Sequence, residues 1–489
     1  MNKRFALTFA LLIASGGASQ ATQAQTKTPA AGQPVVAATP DISTSKARQM
    51  YDEARSYKER KFAEFERDSI PYNPALATRT EQEQRQLAAT SAQALIAAGA
   101  REGDLFYLGM LQNIAGETDK ANLTLARFLS GKDAERGDDM QTARFILATN
   151  FARKRQFAEA EPLREAFVKY AARDNPQAFQ IGGIFANAYR EAGQFERAIA
   201  IAQNELRGVT ARDAATPAAR QTRDDALKQL SLFITNIYLT QKKNADAIRT
   251  LEELRRTALA LPSATLYAEA ARTLERIADA EQETQAAANT NPAIKNTDAV
   301  KSSAPVALAN LDAPATVAPE LVIADWVDRK SVKLADLRGR VVALDFWATW
   351  CGFCRRSIPT LRAWHEKYEA KGLTLIGIAH YEGQVRGRGA TPIEELKFMS
   401  DYKAEHKMTY PVAIGATGIN SVNYGVASLP TTVLIDRAGR VRFMKVGAGE
   451  EDAEEFARMI EVLLAENPSP AAASQTKQRA ASDSAVQSK

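Results

Sequence analysis

The stretch "LDFWATWCGFCRRSIP", Leu344 to Pro359, decides how the C-terminal part of this chain is read, because it holds both cysteines of a 489-residue sequence. The apolar run "RVVALDFWA" ends within it and reads as a buried strand, and a helix follows from about Cys351 to Ala370. The thiols therefore sit at a strand-to-helix junction, where the first helical turn presents unpaired amides and a partial positive charge. A thiolate at Cys351 is stabilised there, and Arg355 and Arg356 add positive charge nearby. Cys354 lies one turn deeper, within reach of an intramolecular disulfide. An exposed thiolate that attacks a partner's disulfide and a second thiol that resolves the mixed intermediate are the two halves of thiol-disulfide exchange.

Two other uses of the pair compete with exchange. A purely structural disulfide closes too small a loop to remove much unfolded-state entropy. A zinc site needs about four ligands, and beyond the two cysteines the chain offers three histidines, His365, His380 and His406, each of which reads as solvated rather than liganding.

The chain opens "MNKRFALTFALLIASGGASQATQAQ", with Lys3 and Arg4 ahead of an apolar run from Phe5 to Ile13. That is the layout of a secretory signal peptide, with Thr22 and Ala24 suited to cleavage before Gln25. The run is shorter than the roughly 20 apolar residues of a membrane span. An exported, periplasmic protein is expected, with an uncleaved membrane anchor as the alternative. The balance of 63 basic against 58 acidic residues is mild and shows no basic-aromatic stripe, which argues against nucleic acid as a partner.

Composition divides the chain further. Residues 25–44 and 467–489 are rich in small and polar types and read as a disordered leader and tail. Residues 288–318 have the same character and read as a flexible linker between a helical region, 45–287, and an α/β region, 319–466. Within the helical region one set of offsets recurs. It gives Ala186, Tyr189, Gly193 and Ala198, then Ala148, Phe151, Arg155 and Ala160, then Thr235, Tyr238, Lys242 and Ala247, and in weaker form Gly109, Gln112, Gly116 and Ala121. These offsets resemble the tetratricopeptide repeat, although Arg155 and Lys242 stand where that family favours glycine and the spacing exceeds its 34 residues. An irregular helical bundle is the alternative. Stacked helix pairs would present a concave surface for peptides or partner proteins.

In the α/β region, strands over "LTLIGIA" and "YPVAI", a helix over "PIEELKFMSDYKAEHK", a hairpin of "TTVLID" and "RVRFMKV" across Arg437 to Gly439, and a closing helix over "EDAEEFARMIEVLLAE" are expected. Taken with "VKLADLRGRVVALDFWATWCGFCRRSIPTL" and "SLPTTVLIDRAGRV", residues 319–466 resemble the TlpA/ResA-like branch of exported thioredoxin-fold proteins. The expected fold class is thus an all-α, tetratricopeptide-like array followed by an α/β thioredoxin fold.

The resemblance implies a thiol-disulfide oxidoreductase that needs no cofactor or metal. It makes Cys351 the attacking thiol and Cys354 the resolving one, has Trp350 shield the pair and Pro359 kink the helix, and places a cis Pro430 opposite the disulfide with the Leu429 backbone free to pair with an extended substrate. Asp345 stands where cytoplasmic-type thioredoxins carry a buried proton relay for the resolving thiol. A hydrogen-bonded structural role for Asp345 is the other reading. The implied partners are a disulfide-bonded protein substrate and a membrane reductase as electron donor, with cytochrome c maturation as one setting. Gly352 and Phe353 between the cysteines and Ser357 in place of a frequent Glu depart from the branch, so the redox potential does not carry over. Two rival readings remain. One is a thiol peroxidase, disfavoured because Ala348 stands where the required Thr or Ser would be and Thr349 is one position late. The other is a binding scaffold with an inert thioredoxin-like domain.

Overall fold

A computed structural model describes residues 42–131, 137–171, 176–211, 214, 216–288, 316–327 and 331–466. The expected signal peptide, the tail and most of the expected leader and linker lie outside these residues. The described part of the leader is helical, since α1 already begins at Ile42. Among the described residues no helix is long and apolar enough to cross a membrane.

The chain forms two compact units, which divide between Thr124 and Leu125. The first holds α1 (Ile42–Arg67), α2 (Pro74–Ala97) and α3 (Leu105–Ile114), and the division falls inside α4 (Thr118–Leu129). Its core is built largely of alanine, with Ala47, Ala54, Ala88 and Ala92 buried beside Leu95, Leu108 and Leu111. Such short side chains let helix backbones approach closely. Asn73 caps α2 by accepting the Ala75 amide at 2.8 Å, with Pro74 at the first helical position where a missing N–H costs nothing.

The second unit opens with α5 (Asp138–Arg153), α6 (Phe157–Tyr170), α7 (Pro176–Glu191), α8 (Phe195–Thr210), α9 (Pro217–Thr240), α10 (Asn244–Ala260) and α11 (Ala264–Ala288). The turn residues singled out in the sequence share one geometry. Gly116, Arg155, Gly193 and Lys242 have φ of 81°, 60°, 74° and 57°. In each case the next amide bonds back to the carbonyl five residues earlier, as in Gln156 to Phe151, Gln194 to Tyr189, Lys243 to Tyr238 and Glu117 to Gln112. This is the left-handed helix stop that usually takes glycine, and Arg155 and Lys242 adopt it with a side chain. The paired small residues Ala148 and Ala160, Ala186 and Ala198, and Thr235 and Ala247 are all buried where the helices meet.

The rest of the unit comprises β1 (Asp325–Trp326), β2 (Val341–Phe346), α12 (Gly352–Tyr368), β3 (Leu373–His380), β4 (Gln384–Val385), β5 (Arg388–Gly389), α13 (Pro392–Glu405), β6 (Val412–Gly415), α14 (Ile419–Asn423), β7 (Thr431–Ile435), β8 (Val441–Val446) and α15 (Glu450–Ala465). The main sheet runs β1-β6-β3-β2-β7-β8, with β2, β3 and β6 mutually parallel and β1, β7 and β8 antiparallel to their neighbours. Every residue of β2 is buried, as a central strand covered on both faces requires. This is a thioredoxin fold.

The helical residues of this unit and the sheet share one hydrophobic core. α10 and α11 pack on β8, and the Tyr267 ring meets Phe443 edge-on at 5.7 Å. The amides of Ala264 and Thr265 donate to the carbonyls of Tyr424 and Gly425, each at 3.0 Å. The sequence predicts a catalytic part on a free tether; these contacts dock it instead. A fragment beginning at Thr316 should therefore unfold at lower urea than the same residues in the full chain. The expected deficit is at least roughly 3 kcal/mol, from one uncovered aromatic contact and the four hydrogen bonds lost from Ala264, from the amide and hydroxyl of Thr265, and from Thr316. All four tryptophans, Trp326, Trp347, Trp350 and Trp364, lie in that fragment, so fluorescence reports on it alone. Equal midpoints would mean that docking contributes nothing.

Candidate active site

Strand β2 ends at Phe346 in the middle of the sheet, and the chain crosses its C-terminal edge to enter α12. Cys351 is the N-cap of that helix, and its Sγ accepts the Cys354 amide at 3.1 Å. A first-turn amide aimed at sulfur favours the charged thiolate once the pair is reduced. The two cysteines are joined as a disulfide, with their α-carbons 5.3 Å apart.

The expectation of an exposed Cys351 needs correction. In the disulfide form Cys351 is 5% exposed and Cys354 2%, while Trp350 and Phe353 are 66% and 60% exposed. The two rings are exposed while both cysteines are buried. Trp350 is held by its Nε1–H, which donates to Glu382 Oε1 at 2.9 Å, and the Arg356 guanidinium lies 4.2 Å from the Phe353 ring centroid. Glu382 itself follows β3, where the amides of Glu382 and Gly383 donate to the buried carboxylate of Glu395 at 2.7 and 2.9 Å.

Asp345 sits on β2 opposite Thr432 of β7 and beside Gly377 of β3. It is fully buried, and Thr432 Oγ1 donates to its Oδ1 at 3.1 Å. Burial pushes its carboxyl up to about 7, against smaller downward pulls from Thr432 and Lys445. Tyr410 lies close enough for the Asp345 charge to add to the burial that holds its phenol well above the usual range. A buried acid poised near neutrality can take or give a proton at working pH.

The Leu429–Pro430 bond is cis, Pro430 is buried, and its carbonyl accepts the Gly447 amide at 2.8 Å. Among the described residues the Leu429 main chain has no hydrogen-bond partner. Pro359 lies inside α12.

Of the three histidines, His365 departs from the expectation that each is solvated, whereas His380 and His406 are partly exposed. His365 is buried, because it continues the inner face of α12 formed by Cys354, Ile358, Leu361 and Tyr368; its ring packs edge-on to Tyr410 and its Nε2 lies 3.5 Å from Glu369. His406 stacks on Tyr402 at 3.9 Å. Among the described residues no group of three or more His, Cys, Asp or Glu side chains could hold a metal ion.

Thr432, Glu382 and the Tyr424–Gly425 turn were not singled out by sequence reasoning. Thr432 had a legible signal, since alternation along "TTVLI" puts it on the sheet face that Asp345 shares. Glu382 and the turn had none, because their roles depend on approach from distant segments.

Comparison with known proteins matches residues 313–463 to the Redoxin family. A thiol-disulfide oxidoreductase ResA of Bacillus thuringiensis subsp. konkukian is 33% identical over 144 residues, which cover 29% of this chain and 76% of that protein. Protein DipZ of Mycobacterium tuberculosis is 33% identical over 145 residues, covering 28% of this chain and 19% of DipZ. Among solved structures, a thiol:disulfide interchange protein of the thioredoxin family from Chlorobium tepidum is 29% identical, covers 31% of this chain and 99% of its own, and has a TM-score of 0.26.

Proposed function

From the premise that this chain belongs, through its C-terminal region, to the ResA-like thiol-disulfide oxidoreductases, we propose that it is an exported reductant of protein disulfides working through Cys351 and Cys354. The observation that supports the reading is the Cys354 amide on Cys351 Sγ at the helix N-cap, a contact that would stabilise a Cys351 thiolate once the pair is reduced. In the reduced protein the Cys351 thiolate attacks one sulfur of a substrate disulfide, that S–S bond breaks, and the departing substrate thiolate takes a proton. Cys354 then gives its proton to the Asp345 carboxylate and attacks Cys351 Sγ. The mixed disulfide breaks, the second substrate sulfur leaves as a thiolate that takes a proton from solvent, Asp345 returns its proton to solvent, and the protein holds the Cys351–Cys354 disulfide. Two electrons have passed to the substrate, and an external dithiol, proposed to be a membrane reductase, restores the pair.

Trp350 and Phe353 form the apolar platform on which the substrate docks, and the unpaired Leu429 main chain beside Pro430 receives an extended substrate segment. The helical region is proposed to hold partner proteins or peptides in tetratricopeptide manner, supported by its four alike turns. Export rests on the charged and apolar pattern at the N-terminus.

The test is the reduction potential of the Cys351–Cys354 pair. A reductant should lie near thioredoxin, about −270 mV, whereas a value near −120 mV would make the protein an oxidant and reverse the direction proposed here.

A further inference from the structure

We propose that the first turn of α11 is a positioning element of the redox site, with Thr265 holding the turn from which the substrate-pairing loop Val426–Pro430 begins. The inference rests on the reading that the Leu429 main chain receives substrate.

The first amides of a helix have no partner within it. In α11 they are given to the thioredoxin-fold residues: Ala264 N–H donates to Tyr424 O and Thr265 N–H to Gly425 O, each at 3.0 Å. The Thr265 hydroxyl donates to the same Gly425 carbonyl at 2.7 Å, so that carbonyl accepts twice from one residue. The approach is closer than any side chain at position 425 would allow. Gly425 has φ of 58°, and a Cβ there would lie 2.7 Å from the Ser263 α-carbon. Ser263 is itself fully buried.

The held turn is continuous with the site. The Tyr424 ring lies 5.5 Å from Phe346, the last residue of β2 before the cysteine loop, and its hydroxyl donates to Pro319 O at 2.6 Å. Phe346 is in register with Thr431, which follows Pro430 directly. The segment from Val426 to Pro430 is thus fixed at its start by helical residues and at its end by the sheet. Between these anchors Ala427 and Ser428 are exposed and the Leu429 main chain is unpaired. Loosening the first anchor changes how Leu429 is presented while leaving the disulfide and its helix untouched. The helical region then acts on recognition of extended substrates and has no part in the sulfur chemistry.

The experiment follows a single oxidation of the reduced full chain in excess probe, so that KM and kcat are the half-saturating concentration and the limiting rate, with three probes: a disulfide-bonded peptide, the same peptide N-methylated beside its cysteine, and the small disulfide 5,5′-dithiobis(2-nitrobenzoate). Thr265→Val keeps the shape of the side chain and removes the hydroxyl. It should raise KM for the unmodified peptide about fivefold, the worth of one hydrogen bond, with kcat, the rate on the small disulfide and the Cys351–Cys354 potential unchanged. Thr265→Ser should restore KM, and Thr265→Ala should repeat the shift seen with valine. An unchanged peptide KM in both the Val and Ala variants overturns the inference, and so does an equal loss on peptide and small disulfide, which marks a purely structural residue. The methylated peptide separates the two layers. If the wild-type protein handles it as well as the unmodified peptide, the main-chain reading of Leu429 fails and this inference falls with it. If methylation weakens the wild-type reaction while Thr265→Val changes nothing, only the inference fails.

Discussion

Replacing Cys351 with serine should remove protein-disulfide reduction down to the uncatalysed background, a fall on the order of a thousandfold or more, as expected when an activated nucleophile is deleted. Serine at the N-cap keeps the helix, because its oxygen accepts the Cys354 amide as sulfur does. The loss should therefore come without a change in melting temperature relative to the reduced wild-type protein. Cys354→Ser should behave differently. It keeps the attacking thiolate and blocks only the second step, so a first attack still occurs and the product stays bound. Insulin reduction monitored by turbidity separates the variants from the wild type. Substantial turnover by Cys351→Ser would give the nucleophile's role to Cys354.

Asp345→Asn should change both stability and rate, with opposite benefit. The carboxyl titrates at about 7 in the folded protein, raised from 3.8 by burial. Between these values the folded state keeps a proton that the unfolded chain has released. Its favourable contribution is therefore complete below about pH 4 and is lost as pH rises through 7. Above that, folding must bury a carboxylate, at a cost on the order of 4 kcal/mol from about three pKa units. Asparagine has no such penalty and can still accept from the Thr432 hydroxyl. The variant should match the wild type near pH 4 and exceed it in urea resistance at pH 8. Exchange should fall by about 10²-fold near neutrality, the usual worth of a lost proton acceptor. A variant with unchanged stability and rates across this range would leave Asp345 a merely hydrogen-bonded residue.

The elements that carry strong periodicity were legible in the chain itself. β2, β3, β6, α12, α13 and the β7–β8 hairpin stand where the apolar runs and turn residues put them, since each buries a face whose spacing follows its own geometry. The turn positions Arg155 and Lys242 were also located by offset, although nothing in an arginine or lysine announces a left-handed backbone. The β4–β5 hairpin was missed because "QVRGRG" has no apolar alternation, and β1 because two residues make no pattern. In the site, Cys351 and Cys354 could be named from their type and spacing, and Asp345 from the resemblance to thioredoxins. That both cysteines are buried while Trp350 and Phe353 are exposed could not, because exposure there depends on what the loop packs against. The docking of α11 on the Tyr424–Gly425 turn was equally hidden: it depends on a glycine with no side chain meeting a serine 162 positions earlier in the chain. A linker rich in Ala, Pro and Ser signals freedom of the connecting chain and carries no information about whether the connected surfaces fit.

The most direct measurement is covalent trapping. Cys354→Ser and Cys351→Ser proteins, each reduced, are mixed with a disulfide-bonded peptide, quenched by acid, and the site of any adduct is located by mass spectrometry. The account predicts one peptide on Cys351 in the Cys354→Ser protein and almost none on Cys354 in the Cys351→Ser protein. Equal adducts at both positions, or an adduct on Cys354 alone, would contradict it.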